Sequence, residues 1–146
     1  MMAWKAGFLL VLLVPFTASA LAPGDVISAR RDGLKAVGHQ MDRIEALMNQ
    51  RGDTRAAVAS IAETIRFFEG LPSLFPPNSG QGDTRARPTI WSDPGGFAAA
   101  NANMLSSLRS LENAANTGDK ASFQAAFQQT AATCSACHRP FRGRGR

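Results

Sequence analysis

The sequence predicts an all-α protein, specifically an antiparallel four-helix bundle with up-down-up-down topology. Four separate segments carry apolar residues at steps of three and four, which is the spacing of one face of an α-helix. No segment shows the strict apolar–polar alternation that is typical of a half-buried β-strand. Short connections join the first two segments and the last two, which favours antiparallel neighbours in a bundle.

Residues 1–20 precede these segments and are typical of a secretory signal peptide. Lys5 supplies a positive charge, residues 7–16 are apolar, and Ala18-Ser19-Ala20 fits the small-residue cleavage rule. The apolar run is too short to cross a bilayer. We therefore expect export through a cleaved signal, no membrane span afterwards, and one small domain at residues 21–146. Removal of Lys5 changes the formal net charge from +5 to +4.

The first two helices are predicted at residues 25–49 and 53–70, approximately, with Asp25 and Asp53 as N-caps. The buried stripe of the first helix is predicted to be Leu34, Val37, Met41, Ile44 and Met48. The buried stripe of the second is predicted to be Val58, Ile61, Ile65 and Phe68. A long connection follows at residues 71–91, where prolines and glycines interrupt any period.

The third helix is predicted to begin with Asp93 as N-cap and Pro94 at its first position, and to stop at Gly118. Its stripe is Phe97, Met104, Leu108, Leu111 and Ala115. The fourth helix follows an Asp119 cap, and Pro140 is predicted to bend or end its last turn just after His138. Its stripe is Phe123, Phe127, Thr130, Cys134, Cys137 and Phe141.

Cys134, Cys137 and His138 form a CxxCH sequence, which is the attachment motif for c-type haem. Each thiol can form a thioether with a haem vinyl group, and the histidine can ligate the iron. On a helix, residues i, i+3 and i+4 share one face, so the three side chains point at a single bound group. Because both cysteines fall on the predicted stripe, we expect one covalent haem c per chain, in the core of the bundle.

Three other interpretations of the two cysteines are weaker. A structural zinc site needs four ligands, and the chain offers only His39 beyond this motif. A thioredoxin-like redox pair belongs beside a βαβ pattern, which is absent from the sequence. A disulfide between neighbours on one helical turn closes a very short loop and therefore stabilises little.

The end of the chain is basic, with Arg139, Arg142, Arg144 and Arg146. Such a tail can attract an acidic redox partner or an anionic surface, or it can be a solvated terminus without a partner. The arginines are not interleaved with aromatic residues in the way that favours nucleic-acid binding.

Together these features resemble the class II c-type cytochromes, specifically the cytochrome c′ family. Besides the C-terminal CxxCH motif, three stretches carry the resemblance: residues 30–41, residues 86–91 and residues 138–142. The first has an arginine followed by glycine, glycine and methionine (Arg30, Gly33, Gly38 and Met41), and the last has a His-x-x-aromatic-Arg ending. The likeness covers nearly all of residues 21–146.

The resemblance implies a five-coordinate iron with His138 as its single protein ligand and an apolar, open distal side that Leu34 faces. It places Arg30 and Arg31 beside the haem propionates, with Arg85 as a further candidate. Arg142 would cover the proximal side. Each of these arginines can also be an ordinary surface residue.

In low-spin members of the class, a methionine at the position of Leu34 is the sixth ligand. Leucine cannot donate to iron, so we expect the five-coordinate form. Met41 lies two turns further on the same stripe and is either a core residue or, in the alternative low-spin form, the sixth ligand. His39 lies off the stripe and is interpreted as a surface residue.

The expected function is periplasmic one-electron transfer, binding of NO or CO at the open distal side, or both. The alternative is a dedicated low-spin electron carrier. A haem enzyme such as a peroxidase is not expected, because the first stripe lacks a distal His–Arg acid/base pair. The resemblance also implies a homodimer through the first two helices. The redox partner is not identifiable from the sequence.

Overall fold

The computed structural model describes residues 22–144. The predicted signal peptide at residues 1–20, its cleavage site after Ala20 and Arg146 therefore lie outside the described residues. Among the helices of residues 22–144, none has the length and apolar character needed to cross a membrane.

The described chain is helical. Its helices are α1 (Pro23–Asn49), α2 (Val58–Gly70), α3 (Thr89–Ser92), α4 (Pro94–Thr117) and α5 (Lys120–Phe141). Short 3-10 turns at Thr54–Ala57 and Leu71–Leu74 flank α2. The four long helices confirm the predicted elements, and within residues 22–144 the β-structure is one isolated bridge between Ala86 and Arg142. The single turn α3 was not predicted, because four residues are too few to show a helical period.

Neighbouring long helices run antiparallel, as predicted. Contacting residues follow opposite orders along each packed pair of helices. They are Gly33–Phe67 and Gln40–Glu63 for α1 with α2, Thr54–Ala115 and Phe68–Asn101 for α2 with α4, and Phe97–Phe141 and Ser107–Thr133 for α4 with α5. The ring of Phe67 occupies the space that a Cβ on Gly33 would need, so a larger residue at this position would have to displace that ring where α1 and α2 meet.

Local capping chemistry sets most helix ends. Asp93 accepts a hydrogen bond from the N–H of Gly96 at 2.9 Å, and Gly118 ends α4 in the left-handed region at φ 79°. Both features confirm the predictions. One predicted start was wrong, because helix α1 starts at Pro23 with Ala22 as N-cap, and Asp25 lies in the first turn. Of the two effects predicted for Pro140, an end of the helix just after His138 is wrong, because α5 continues to Phe141. A bend at Pro140 stays a prediction.

The core lies between α2, α4 and α5 and follows the predicted stripes. All five residues of the third stripe are buried, and Leu108, Leu111 and Ala115 are 0% exposed. The stripe of α1 differs, because only Ile44 is fully buried whereas Leu34 is 39% exposed. The protein therefore covers the C-terminal half of this stripe and leaves its N-terminal part open.

The Asp119 cap of α5 gives a prediction about pH. Its carboxylate accepts hydrogen bonds from the Ser122 hydroxyl at 2.8 Å and the Ala121 N–H at 2.9 Å, which hold the pKa of Asp119 below its usual value. A carboxyl whose pKa is lower in the folded state than in the unfolded state stabilises the fold at pH values above its unfolded-state pKa. It loses that contribution as the pH falls through the folded pKa.

Asp119→Ala is therefore expected to lower the Tm at pH 7, and the difference from the wild type should narrow as the pH falls below about 4. Thermal unfolding followed by circular dichroism over a pH series measures this. The matched control is Asp119→Asn, which keeps an oxygen acceptor at the cap but no titrating group. A Tm difference for Asp119→Ala that stays constant with pH would contradict the expectation.

Candidate haem-binding site

The CxxCH motif lies on the last turns of α5. The side chains of Cys134 and Cys137 are half-buried and pack against the core, both thiols are free, and His138 is exposed. The helical spacing brings the three groups onto one side of α5, as predicted. Two thiols and an imidazole on one face are the donor set that a covalent haem needs.

Burial sets the protonation of these groups. Burial raises the pKa of the Cys134 thiol. The pKa of the Cys137 thiol is raised by burial first and then by the repulsion that an ionised Cys134 would exert. Both sulfurs are therefore neutral thiols at pH 7. The pKa of His138 is lowered by partial burial of the ring and then by the positive charges of Arg142 and Arg85. A neutral imidazole is the form that ligates iron.

The segment after His138 is fixed by the long connection. Ala86 and Arg142 form the isolated antiparallel bridge. The N–H of Arg87 donates to the carbonyl of Phe141 at 3.0 Å, and the N–H of Gly143 donates to that of Arg85 at 2.7 Å. Phe141 is buried, so α5 is anchored just beyond its histidine. Arg85 and Arg142 are thereby brought together beside His138.

A second feature of the described chain is the uncovered face of α1, which the resemblance places on the distal side of the haem. Leu34 is the one large apolar side chain that is exposed among the described residues, although it lies on the predicted inward stripe. Val37 and Met41, further along that stripe, are half-buried and contact the core. An apolar side chain left open on an inward stripe is the surface that a bound apolar group would cover.

Helices α1 and α5 leave space between them. A cavity of about 470 Å³ has walls that include Leu47, Met48, Phe123 and Gln124. A second one, of about 220 Å³, reaches Phe127, two turns before Cys134. Both cavities lie towards the start of α5, and neither is lined by a residue of the CxxCH motif. The fit to a haem therefore rests on the half-buried thiols, the imidazole and the open apolar face.

Arg30 has a role that the sequence did not reveal. Its side chain is buried at 2% exposure, and its guanidinium donates to the Leu74 and Ser79 carbonyls and to the Ser79 and Thr84 hydroxyls at 2.6–3.3 Å. It also lies 4.7 Å from the ring centroid of Phe75. Arg30 therefore fastens the long connection to α1. Its predicted contact with a propionate would require these donors to change partners, and it stays a prediction.

The other predicted arginines are exposed. Arg31 forms a salt bridge with Asp83, which also lies in the long connection. The structure thus brings Arg85 and Arg142 to the histidine side of the site and turns Arg31 towards Asp83. His39 is exposed, in agreement with its interpretation as a surface residue.

Comparison with known proteins identifies this arrangement. A family model described as Cytochrome C′ matches residues 25–142. The chain belongs to the cytochrome c′ family. It is 37% identical over 118 residues to a cytochrome c′ of Rhodospirillum rubrum, covering 80% of this chain and 76% of that protein. A cytochrome c′ of Rubrivivax gelatinosus is 33% identical over 125 residues, covering 82% and 95%.

Solved cytochrome c′ structures share the fold. The structure from Rubrivivax gelatinosus superposes with a TM-score of 0.74 at 30% identity, covering 82% of this chain and 96% of that one. The structure from Thermochromatium tepidum gives 0.77 at 24% identity, covering 86% and 100%. The predicted family and the four-helix fold are therefore confirmed. As a member of the cytochrome c′ family, the chain is a haem protein of the electron-carrying and gas-binding kind.

Proposed function

We propose that this chain is a periplasmic haem c protein that transfers one electron, binds NO or CO at an open iron position, or does both. Cys134 and Cys137 would hold one haem covalently, and His138 would be the only protein ligand of the iron. The observation that supports the proposal is the exposure of Leu34, an apolar residue without a donor atom on the helix that the resemblance places on the distal side. The haem would supply the one-electron redox chemistry and the free coordination position.

The residues on the distal and the proximal side of the haem would have different roles. Leu34 offers a neutral diatomic gas an apolar surface and no hydrogen-bond donor, which disfavours oxygen relative to NO and CO. His138 stands on a helix end that Phe141 and the Ala86–Arg142 bridge hold in place. Arg142 and Arg85 add positive charge beside the imidazole, where the anionic propionates or the proximal face of the haem could meet them.

A relative supports gas binding. A solved nitric oxide complex of a cytochrome c′ variant from Alcaligenes xylosoxidans is 25% identical to this chain, with a TM-score of 0.76 over 84% of this chain and 97% of that one. The periplasmic location rests on the predicted signal peptide at residues 1–20. The homodimer that the resemblance implies and the absence of a turnover activity stay predictions.

Absorption spectra of the ferric and ferrous protein test this function. We expect high-spin, five-coordinate spectra without added ligand, and a large change of the ferrous Soret band with CO or NO, because Leu34 leaves the iron position open. A six-coordinate, low-spin ferrous spectrum that does not respond to CO would overturn the proposal.

Two matched variants of α1 separate this proposal from the low-spin alternative. Met41 is half-buried and contacts the core, which favours a packing role. Met41→Leu keeps the volume and removes the sulfur, and it is expected to leave the spectrum of the ligand-free protein unchanged. Leu34→Met introduces a donor at the open side and is expected to shift that spectrum towards low spin. If Met41→Leu instead converts a low-spin spectrum to high spin, Met41 is the sixth ligand.

A further inference from the structure

We propose that five arginines around His138 form a docking surface for an acidic electron-transfer protein. This arginine patch consists of Arg85, Arg87, Arg139, Arg142 and Arg144, all of them exposed. The inference rests on the proposed function, since it assumes a haem attached at the neighbouring cysteines. It adds the place where electrons enter or leave and the chemistry of the partner.

Tertiary structure builds the patch from two distant segments. Arg85 and Arg87 come from the long connection, and the other three arginines follow the CxxCH motif. The Ala86–Arg142 bridge pairs the two backbones, and the Arg87 guanidinium donates to the Arg139 carbonyl at 2.9 Å. The backbones that carry the arginines are therefore held next to each other, and the Arg87 side chain is tied to the end of α5.

The charge of the patch is not neutralised by the surrounding sequence. No aspartate or glutamate occurs at residues 84–92 or anywhere from residue 120 to residue 144. Asp83, the nearest acidic residue along the chain, pairs with Arg31. Within the described residues, Arg31, Arg55 and Arg109 form the salt bridges, and none of the five patch arginines does. An unbalanced cluster of this kind attracts and orients an anionic surface before contact.

Its position suits electron transfer. The patch lies at the end of α5 that carries the exposed His138, with Arg85 and Arg142 near the imidazole. A partner bound there would therefore approach a haem on Cys134 and Cys137 from its attached side. Transfer would move one electron between the ferrous iron and the partner's metal, without a change in covalent bonds. Guanidinium groups pair with carboxylates in a bidentate way, which suits an acidic protein surface. Electrostatic encounters of this type are small and transient.

The structure favours a protein over a membrane or a nucleic acid. The patch has no exposed apolar side chain that could enter a lipid interface, since Phe141 is buried. It also presents no exposed aromatic ring on which bases could stack, since Trp91 is half-buried and donates from its ring nitrogen to the carbonyls of Phe75 and Pro76 at 3.1 Å.

The test compares two double variants with the same change of net charge. Arg139→Glu/Arg144→Glu reverses two patch charges and leaves the backbone carbonyl of residue 139 in place for Arg87. Arg51→Glu/Arg55→Glu reverses two charges near the start of α5, where Lys120 contacts the Arg51 carbonyl. With 22 residues in α5, the two places are about 30 Å apart. Neither pair contains a proposed haem contact.

The probe is an acidic blue-copper protein, which accepts one electron as Cu(II) becomes Cu(I). Calorimetric titration of the haem-loaded chain should give a Kd that rises with ionic strength. The Kd of the patch variant should be at least about tenfold higher than that of the wild type. The Kd of the remote variant should stay within about threefold of the wild-type value. The rate of oxidation of the ferrous chain should follow the same order. The Kd and the oxidation rate of Arg139→Gln/Arg144→Gln should fall between those of the wild type and those of the charge-reversed patch variant.

Equal loss of binding in both double variants would overturn the proposal, because net charge alone would then explain it. Absence of binding by the wild type at low ionic strength would overturn it too. So would selective loss of binding to phosphatidylglycerol vesicles, with unchanged binding to the copper protein. The ligand-free and CO spectra of the variants test the five-coordinate iron independently, so the two proposals can fail separately.

Discussion

Replacing Cys134 and Cys137 together by serine is expected to abolish covalent haem attachment completely. A hydroxyl does not form the thioether that a thiol forms with a vinyl group, and the chain has no third cysteine. Haem staining after denaturing electrophoresis and extraction of haem into acidic acetone measure the result. The wild type should keep its haem in both assays, and the double variant should lose it in both.

The single variants refine this expectation. Cys134→Ser and Cys137→Ser each leave one thiol, so the pyridine haemochrome band of any attached haem should shift to the position of a haem with one free vinyl group. Ser135→Ala is the matched control, since it changes an exposed residue between the two cysteines. Full attachment in the double variant would show that another side chain holds the cofactor.

Leu108→Ala is expected to lower the free energy of unfolding by about 3–5 kcal/mol, which is the usual cost of a leucine-sized cavity in a core. Leu108 is 0% exposed and lies in the middle of α4, where that helix packs in the apolar cluster with α2 and α5. Urea unfolding of the haem-loaded chain, followed by circular dichroism at 222 nm, measures the change.

Leu105→Ala provides the control for this substitution. It makes the same chemical change three residues earlier in α4, at a side chain that is only partly buried against the core. Its cost should be about 1 kcal/mol, since less apolar area returns to water and little cavity forms. Equal losses at the two positions would contradict the core that the structure assigns to α4.

The helix ends show what local chemistry can predict. Asp93, Asp119 and Gly118 were assigned from their neighbours in sequence, and each makes the expected cap. Asp25 was assigned wrongly, because Pro23 already has the backbone angle of a helix and starts α1 earlier. Pro140 lies in the last turn, where the loss of one backbone donor does not end the helix before Phe141.

The sequence by itself determined the four long helices, their inward stripes and the haem-attachment motif. These features depend on interactions within about one helical turn, such as the spacing of Cys134, Cys137 and His138 on one face. Only the tertiary structure decided that Leu34 is left uncovered and that Arg30 fastens the long connection. The partners of Arg30 lie 44 to 54 positions along the chain. Such contacts arise from the packing of whole helices, which no local pattern encodes.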